Sequence, residues 1–364
     1  MPCNREPKHR KMFDDRENIT DADYETAGRV GLPAVLRLSL QDAPAVLKST
    51  TGREVVKRHV LYGDHVGPVS VIEKTYFLRS PPLEYRIYKN LPIRSGHRWR
   101  LPEIYCLRRG RNFQSIFMED TEQTDYKRFS RSTDGYLTAA GVIGEVNAAF
   151  IDQPKLHAIL PRHRRPQAFL DLTRLEIPVF PDFVDDVLAR ETHEVRARLV
   201  DVFDDNTRLM NALSFTLAHG DMNRSNFFHD PGRGKFLLID WASAKGLPLG
   251  GDLSQLLFSG WWGHLPSGRR FAGRDGKKML RIEPRAIDAY HRSLNRKDID
   301  CATCALGADL TTAKNQFLKR LPACLSAMTP PESRYDQEHV QKFQENLSIM
   351  LAKMRSLIER IERI

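Results

Sequence analysis

The sequence predicts an α+β chain, with a smaller strand-rich amino-terminal part and a larger, mostly helical carboxy-terminal part. Three observations carry this. Between Val35 and Phe117, short apolar runs alternate with turn residues, as antiparallel strands do. From Tyr136 onward the pattern turns helical, interrupted by a strand-like stretch from Ser214 to Ile239. At 364 residues the chain can hold two parts with their own cores.

Residues 1–30 are polar and charged and read as a loose tail. Val35 to Leu40 and Val46 to Lys48 are strand pieces, and Ser49-Thr50-Thr51-Gly52-Arg53 is a short turn before a strand from Val55 to Tyr62. After the turn Gly63 to Gly67 comes V-S-V-I-E-K-T-Y-F, a strand carrying Lys74. A helix opened by Pro81 and Pro82 follows and carries Glu84. Leu101 to Leu107 and Phe113 to Phe117 are further strands, ending at Met118-Glu119-Asp120. The expected domains are therefore 31–120 and 121–364.

Tyr136 to Phe150, rich in Ala, Val and Ile, fits a buried helix, and Phe183 to Leu213 is a longer helical stretch. At the carboxy-terminal end, Val340, Phe343, Leu347, Met350, Met354, Leu357, Ile361 and Ile364 have heptad spacing. Leu351 and Ile358 widen this stripe, which favours a helix lying on its own domain over a two-stranded coiled coil.

The chemistry concentrates in F-T-L-A-H-G-D-M-N-R-S-N-F-F-H-D-P-G-R-G-K-F-L-L-I-D-W, Phe215 to Trp241. Asp221 follows His219 by two residues, Asn226 follows Asp221 by five, and Asp240 ends the apolar run Phe236 to Ile239. The D-P-G-R-G turn at Asp230 to Gly234 folds this segment into a hairpin, bringing the three polar groups to one end of a small sheet. Nucleotide-dependent phosphoryl transfer needs this set: one carboxylate facing the acceptor hydroxyl, and an amide and a second carboxylate on the magnesium that binds the phosphates. Taken singly, the three could be a helix cap, a turn residue and a strand-end carboxylate.

H-G-D-x-x-x-x-N followed by I-D-W resembles the aminoglycoside phosphotransferase and choline kinase group, small-molecule kinases with a protein-kinase-like fold. Protein kinases usually carry H-R-D and D-F-G, where this chain has Gly220 and Trp241. The resemblance extends from about Val35 to about Asn295 and is specific only in the block above. It implies a bilobal fold with a small antiparallel-sheet N-lobe and a helical C-lobe, and ATP (or another nucleoside triphosphate) with Mg2+ between them. Asp221 would be the catalytic base, and Asn226 and Asp240 the metal ligands. Lys74 and Glu84 are spaced as the phosphate-binding pair of such a fold, whereas the rival Lys57 lies too close behind Gly52. Met118 to Asp120 matches the adenine-binding hinge, and Gly52 stands where the phosphate-covering loop would be, without G-x-G-x-x-G. The absence of G-x-x-x-x-G-K-[ST] argues against a P-loop enzyme. Asp252, in G-G-D-L, would brace the catalytic loop.

Net charge is +10, concentrated in Ser267 to Arg281, with six Lys or Arg against one Asp, and in His157 to Arg165. This disfavours a polycationic acceptor and favours an anionic or neutral hydroxyl compound such as a sugar, phosphosugar or nucleoside. Trp261-Trp262 either lines the acceptor pocket or packs in a core. No nucleic-acid-binding module accompanies the basic stretches. Five cysteines make no disulfide framework, and Cys301-x-x-Cys304 lacks the further ligands of a zinc site, so these side chains read as small apolar fillers. No apolar run is long enough to cross a bilayer and the first residues lack an apolar signal region, so a cytoplasmic monomer or homodimer is expected. The function expected is ATP- and Mg-dependent transfer of the γ-phosphate to a hydroxyl of a sugar, antibiotic or other metabolite. The alternatives are a catalytically silent kinase-fold protein that binds nucleotide or a partner, a protein kinase, and a binder of nucleic acid or anionic surfaces through Ser267 to Arg281.

Overall fold

The computed structural model describes residues 24–25, 45–50, 54–63, 66–77, 82–91, 93–110, 113–121, 126–151, 153–172, 178–182, 184–204, 209, 211–262, 275–328 and 337–363. The chain divides into two compact units, residues up to 89 with 103–124, and 90–102 with 125–364. The fold class is the expected α+β.

The first unit is built on a six-stranded antiparallel sheet in the order β1-β6-β7-β4-β3-β2. Its strands are β1 (Tyr24–Glu25), β2 (Ala45–Thr50), β3 (Glu54–Gly63), β4 (Val66–Tyr76), β6 (Ile104–Arg109) and β7 (Gln114–Glu119). One helix, α1 (Leu83–Asn90), follows β4. Val71, Ile116, Met118, Cys106 and Leu107 supply buried apolar side chains, and Tyr85, Ile87 and Tyr88 of α1 are buried too. Two features depart from the sequence expectation. Tyr24–Glu25, inside the expected tail, pairs with Leu107–Arg108 as an edge strand. Residues 90–102, expected in the amino-terminal domain, belong to the second unit. There β5 (Trp99–Arg100) runs parallel to β11 (Lys235–Leu238), with Trp99 opposite Phe236, and Arg100 is paired to Asp230 at 2.9 Å. The expected strand Val35 to Leu40 and the turn residue Gly52 lie outside the described residues.

The second unit contains β8 (Lys127–Arg128), α2 (Thr133–Ala149), α3 (Pro154–Ile159), α4 (Asp186–Asp204), β9 (Phe215–Ala218), β10 (Phe227–Asp230), β11 and β12 (Lys245–Pro248). After these come α5 (Gly251–Phe258), α6 (Gly276–Leu294), α7 (Cys301–Thr312), a π-helical stretch Ala313–Arg320, α8 (Leu321–Met328) and α9 (Gln337–Glu362). Within the helical stretch expected from Phe183 to Leu213, helix α4 begins at Asp186, and residues 209, 211 and 212 near its far end are helical too. Helices α2 and α6 pack closely because Gly144 has no side chain: a Cβ there would lie 2.4 Å from the Tyr290 carbonyl oxygen. Helix α2 starts at the Ser132 cap, whose hydroxyl accepts from the Gly135 N–H at 3.1 Å.

Helix α9 lies along its own unit against α4, α6 and α7, burying Phe343, Leu347, Met350, Leu351, Met354, Leu357 and Ile358. Leu351 and Ile358 are the residues that widened the stripe beyond a coiled-coil seam. Lys353 anchors the helix in an ion cluster with Glu283 of α6, at 2.7 Å, and Asp309 of α7. Trp261 and Trp262 are core residues, with their indole N–H groups donating to the carbonyls of Asn346 (3.3 Å) and Gln316 (2.8 Å). Cys301 and Cys304 lie on α7, and burial pushes the Cys304 thiol up to about 12. No described helix is long and apolar enough to cross a membrane.

Candidate active site

Two short antiparallel pairs position the motif. Strand β9 pairs with β12, with Ala218 opposite Lys245, and β10 pairs with β11, with Phe227 opposite Leu238. Residues 219–226 form the loop that leaves β9 and enters β10. One rung past the β10–β11 pairing, the Ile239 N–H donates to the Asn226 carbonyl at 3.1 Å. Asp240 is therefore the residue next to the partner of Asn226, and both stand at the same end of the hairpin.

The start of the loop is tied down from below by Asp252, which is fully buried on α5. Its carboxylate accepts from the His219 N–H (3.0 Å), the Gly220 N–H (2.9 Å) and the Asn147 side-chain amide (3.2 Å). Tyr290 extends this buried network, donating to Asn147 Oδ1 at 2.9 Å and accepting from the Gly250 N–H at 2.9 Å. His219 is buried against Trp241, with ring centroids 4.8 Å apart. The Asp221 N–H donates to its Nδ1, at 3.3 Å, so the ring proton is on Nε2 and is donated to the Ile239 carbonyl at 2.8 Å. His219 thus ties the loop to the end of β11 and is a positioning residue.

Gly220 has φ 77°, and a Cβ there would lie 2.2 Å from the Ser243 carbonyl oxygen and 2.9 Å from Lys245 Cε. Left-handed backbone and close approach together explain why glycine follows His219.

Asp221 is held by its neighbours: Asn223 Nδ2 donates to Oδ1 at 2.8 Å and Asn226 Nδ2 to Oδ2 at 3.1 Å. Asn226 Nδ2 also donates to the Asp221 carbonyl at 3.0 Å. With its amide nitrogen committed to Asp221, Asn226 has Oδ1 left as an acceptor, with the Ser225 hydroxyl 3.5 Å from it. Asp240 has φ 65°, ψ 63°, a left-handed conformation that costs a non-glycine residue about 1–2 kcal/mol and marks functional sites. An amide oxygen and a carboxylate are hard donors that fit Mg2+, which is typically bound by one or two protein groups plus substrate phosphates. Among the described residues no group of three or more His, Cys, Asp or Glu could hold a metal ion.

In the first unit, Lys74 on β4 and Glu84 on α1 form an ion pair, with Lys74 Nζ 3.1 and 3.2 Å from the two carboxylate oxygens. Glu84 is fully buried and also accepts from the Tyr76 hydroxyl. Met118 is buried on β7 opposite Ile72 and Ile104. The Asp120 carboxylate is committed within its own unit, accepting from Arg58 Nε at 2.6 Å and the Ser70 hydroxyl at 2.6 Å. Sequence reasoning missed Asn223 and the Asn147–Tyr290 network. The Asp221-x-Asn223 spacing is a local turn signal that could have found the first. Asn147 left no signal, because its partner Asp252 is 105 positions away.

A family model describing the phosphotransferase enzyme family matches residues 60–290, including the whole loop from His219 to Asn226. This chain belongs to that family. No curated protein sequence matches it. Among solved structures it is similar to a microcompartment-associated aminopropanol kinase, at 10% identity over 91% of this chain and 97% of that one, with TM-score 0.47. A Plasmodium vivax ethanolamine kinase shares 15% identity over 87% and 84%, TM-score 0.43. A spectinomycin phosphotransferase in complex with ADP and spectinomycin shares 10% over 86% and 93%, TM-score 0.42. In this phosphotransferase, Gly220 and Trp241 hold the positions that distinguished it from protein kinases, and each has a packing reason: the close approach to Ser243, and the wedge against His219.

Proposed function

We propose that this phosphotransferase moves the γ-phosphate of ATP to a hydroxyl of a small molecule, with Asp221 as the base. The observation that carries this is the fixed Asp221 carboxylate, held by Asn223 and Asn226, at the end of a hairpin that also presents Asn226 Oδ1 and Asp240. Asp221 orients the acceptor hydroxyl and takes its proton as the oxygen attacks the γ-phosphorus and the bond to ADP breaks. Asn226 and Asp240 would hold Mg2+, which supplies charge neutralisation on the nucleotide phosphates. Lys74, held by Glu84, supplies a fixed positive charge for the phosphates. The backbone around Met118 to Asp120 would receive adenine. The transition state is loose, so positioning and electrostatics provide most of the acceleration.

The test is acceptor-dependent ADP release by purified protein with Mg2+ and a panel of hydroxyl compounds. Asp221→Asn removes the base and is expected to lower turnover by about 100-fold or more. Asp240→Ala is expected to raise the Mg2+ concentration needed for half-maximal rate. Near-normal turnover in both variants ends the assignment.

A further inference from the structure

A second feature of the helical unit adjoins the catalytic loop. A cavity of about 240 Å³ is lined by His163, Arg164, Lys245, Lys314, Lys319 and Asp171, among others. One carboxylate thus faces five Lys or Arg side chains and a histidine. The basic stretch His157 to Arg165 contributes one wall, β12 the second and the π-helical stretch the third.

The π-helical geometry matters here. On an α-helix, residues five apart point about 140° away from each other. In a π-helix the hydrogen bonds join residues five apart, so Lys314 and Lys319 stack on one side, and both line the cavity. Such stretches concentrate at functional sites.

The cations divide into structural and available ones. Lys314 Nζ donates to the carbonyls of Ala168 (3.2 Å), Phe169 and Asp171 (3.0 Å), which uses all three of its protons. Arg164 Nη1 donates to the Ala242 carbonyl at 2.5 Å. Lys245 Nζ and Lys319 Nζ have no hydrogen-bond acceptor among the described residues. Burial, and then repulsion from Lys319 and Lys245, push Lys314 down to about 7. Lys245 is lowered by burial first, with Lys319 and Arg164 adding to it against the attraction of Asp252 and Asp221. Partly buried like charges left this way are relieved by a polyanion.

One cavity-lining residue, Lys245, also lies close to the loop that carries Asp221. Lys245 stands opposite Ala218, and its Cε is so near Gly220 that a Cβ there would lie 2.9 Å from it. The next residue is Asp221. Resting on the phosphoryl-transfer function above, we propose that the acceptor is a hydroxyl compound already carrying a phosphate, which Lys245 and Lys319 bind while Asp221 faces its free hydroxyl. A dianionic group matches the excess of cations better than a single carboxylate, and the same charges disfavour a polycationic acceptor.

Matched pairs test this: glucose with glucose 6-phosphate, glycerol with glycerol 3-phosphate, and adenosine with AMP, plus kanamycin as a polycation, all by acceptor-dependent ADP release. The phosphorylated member of at least one pair is expected to have a kcat/KM at least about tenfold above its partner, the scale of one charge-assisted contact. Lys319→Glu, at an exposed position, is expected to raise the KM for that compound about tenfold or more with a smaller change in kcat. Equal or better use of neutral members or of kanamycin overturns the anionic acceptor and leaves phosphoryl transfer standing. ADP release with no compound counts against phosphoryl transfer itself. The pocket is then decided by titrating inorganic phosphate into wild type and Lys319→Glu by calorimetry. Weaker binding to the variant supports it, and equal or absent binding to both overturns it.

Discussion

Replacing Asp252 by Asn changes one oxygen to an amino group at constant size, and the geometry around the catalytic loop predicts the cost. The carboxylate accepts three hydrogen bonds, with Gly220 N–H on Oδ1 and both His219 N–H and Asn147 Nδ2 on Oδ2. An asparagine has one carbonyl oxygen. In its better orientation it keeps the two donors at Oδ2 and turns its NH2 toward the Gly220 N–H. Flipping Asn147 offers no escape, because its Oδ1 already accepts from Tyr290. Every arrangement therefore leaves at least one buried donor without an acceptor, which costs about 1–3 kcal/mol. The bonds that remain lose their charge assistance, which brings the total to about 2–4 kcal/mol. Since 1.4 kcal/mol is tenfold, amide exchange in the peptide spanning residues 217–222 is expected to accelerate about 30- to 700-fold. Hydrogen exchange read by mass spectrometry measures this directly. An acceleration below about threefold would refute Asp252 as the brace of the loop.

Three further outcomes follow from the same coordinates. Gly220→Ala must adopt a left-handed backbone and place a methyl 2.2 Å from the Ser243 carbonyl, so a loss of stability above about 2 kcal/mol by urea denaturation is expected. A loss under about 0.5 kcal/mol would refute the close approach as the reason for glycine at this position. Lys74→Met leaves the fully buried Glu84 with the Tyr76 hydroxyl but without its cation, at a cost of about 3–5 kcal/mol, and raises the KM for ATP. Adding Glu84→Gln should recover most of the stability and none of the ATP affinity, and recovery of both would remove Lys74 from the nucleotide site. Burial raises Cys301, takes Cys106 and Cys324 up to about 11, and takes Cys304 to about 12. Iodoacetamide at pH 8 is therefore expected to label these four at least about tenfold more slowly in native than in urea-unfolded protein. The folded thiols keep protons that unfolded ones release, so their contribution to stability falls as pH rises through the alkaline range toward 11. Fast native labelling of Cys301 and Cys304 would reopen a redox role for the pair.

The local part of this protein is legible from its residues alone. The loop from His219 to Asn226 and the hairpin to Asp240 are contiguous, so turn chemistry and apolar runs place the three oxygen-bearing groups at one hairpin end. Lys74 and Glu84 were legible because a strand and the following helix bring them together over ten positions. The width of the α9 stripe was enough to show that the helix packs on its own unit. Tertiary structure alone decided what joins distant segments. Trp99 reaches Phe236, which carries residues 90–102 into the second unit. Asp120, read as part of the hinge, spends its carboxylate on Arg58 and Ser70. Asp252 meets Asn147 and Tyr290, and the basic stretch around Arg164 meets Lys245 and Lys319 in one cavity. The physical reason is range. Periodicity and turn residues encode the backbone within a few positions. A buried polar network or a shared cavity is specified only when helices and strands from several segments pack, and no single segment carries a record of its partners.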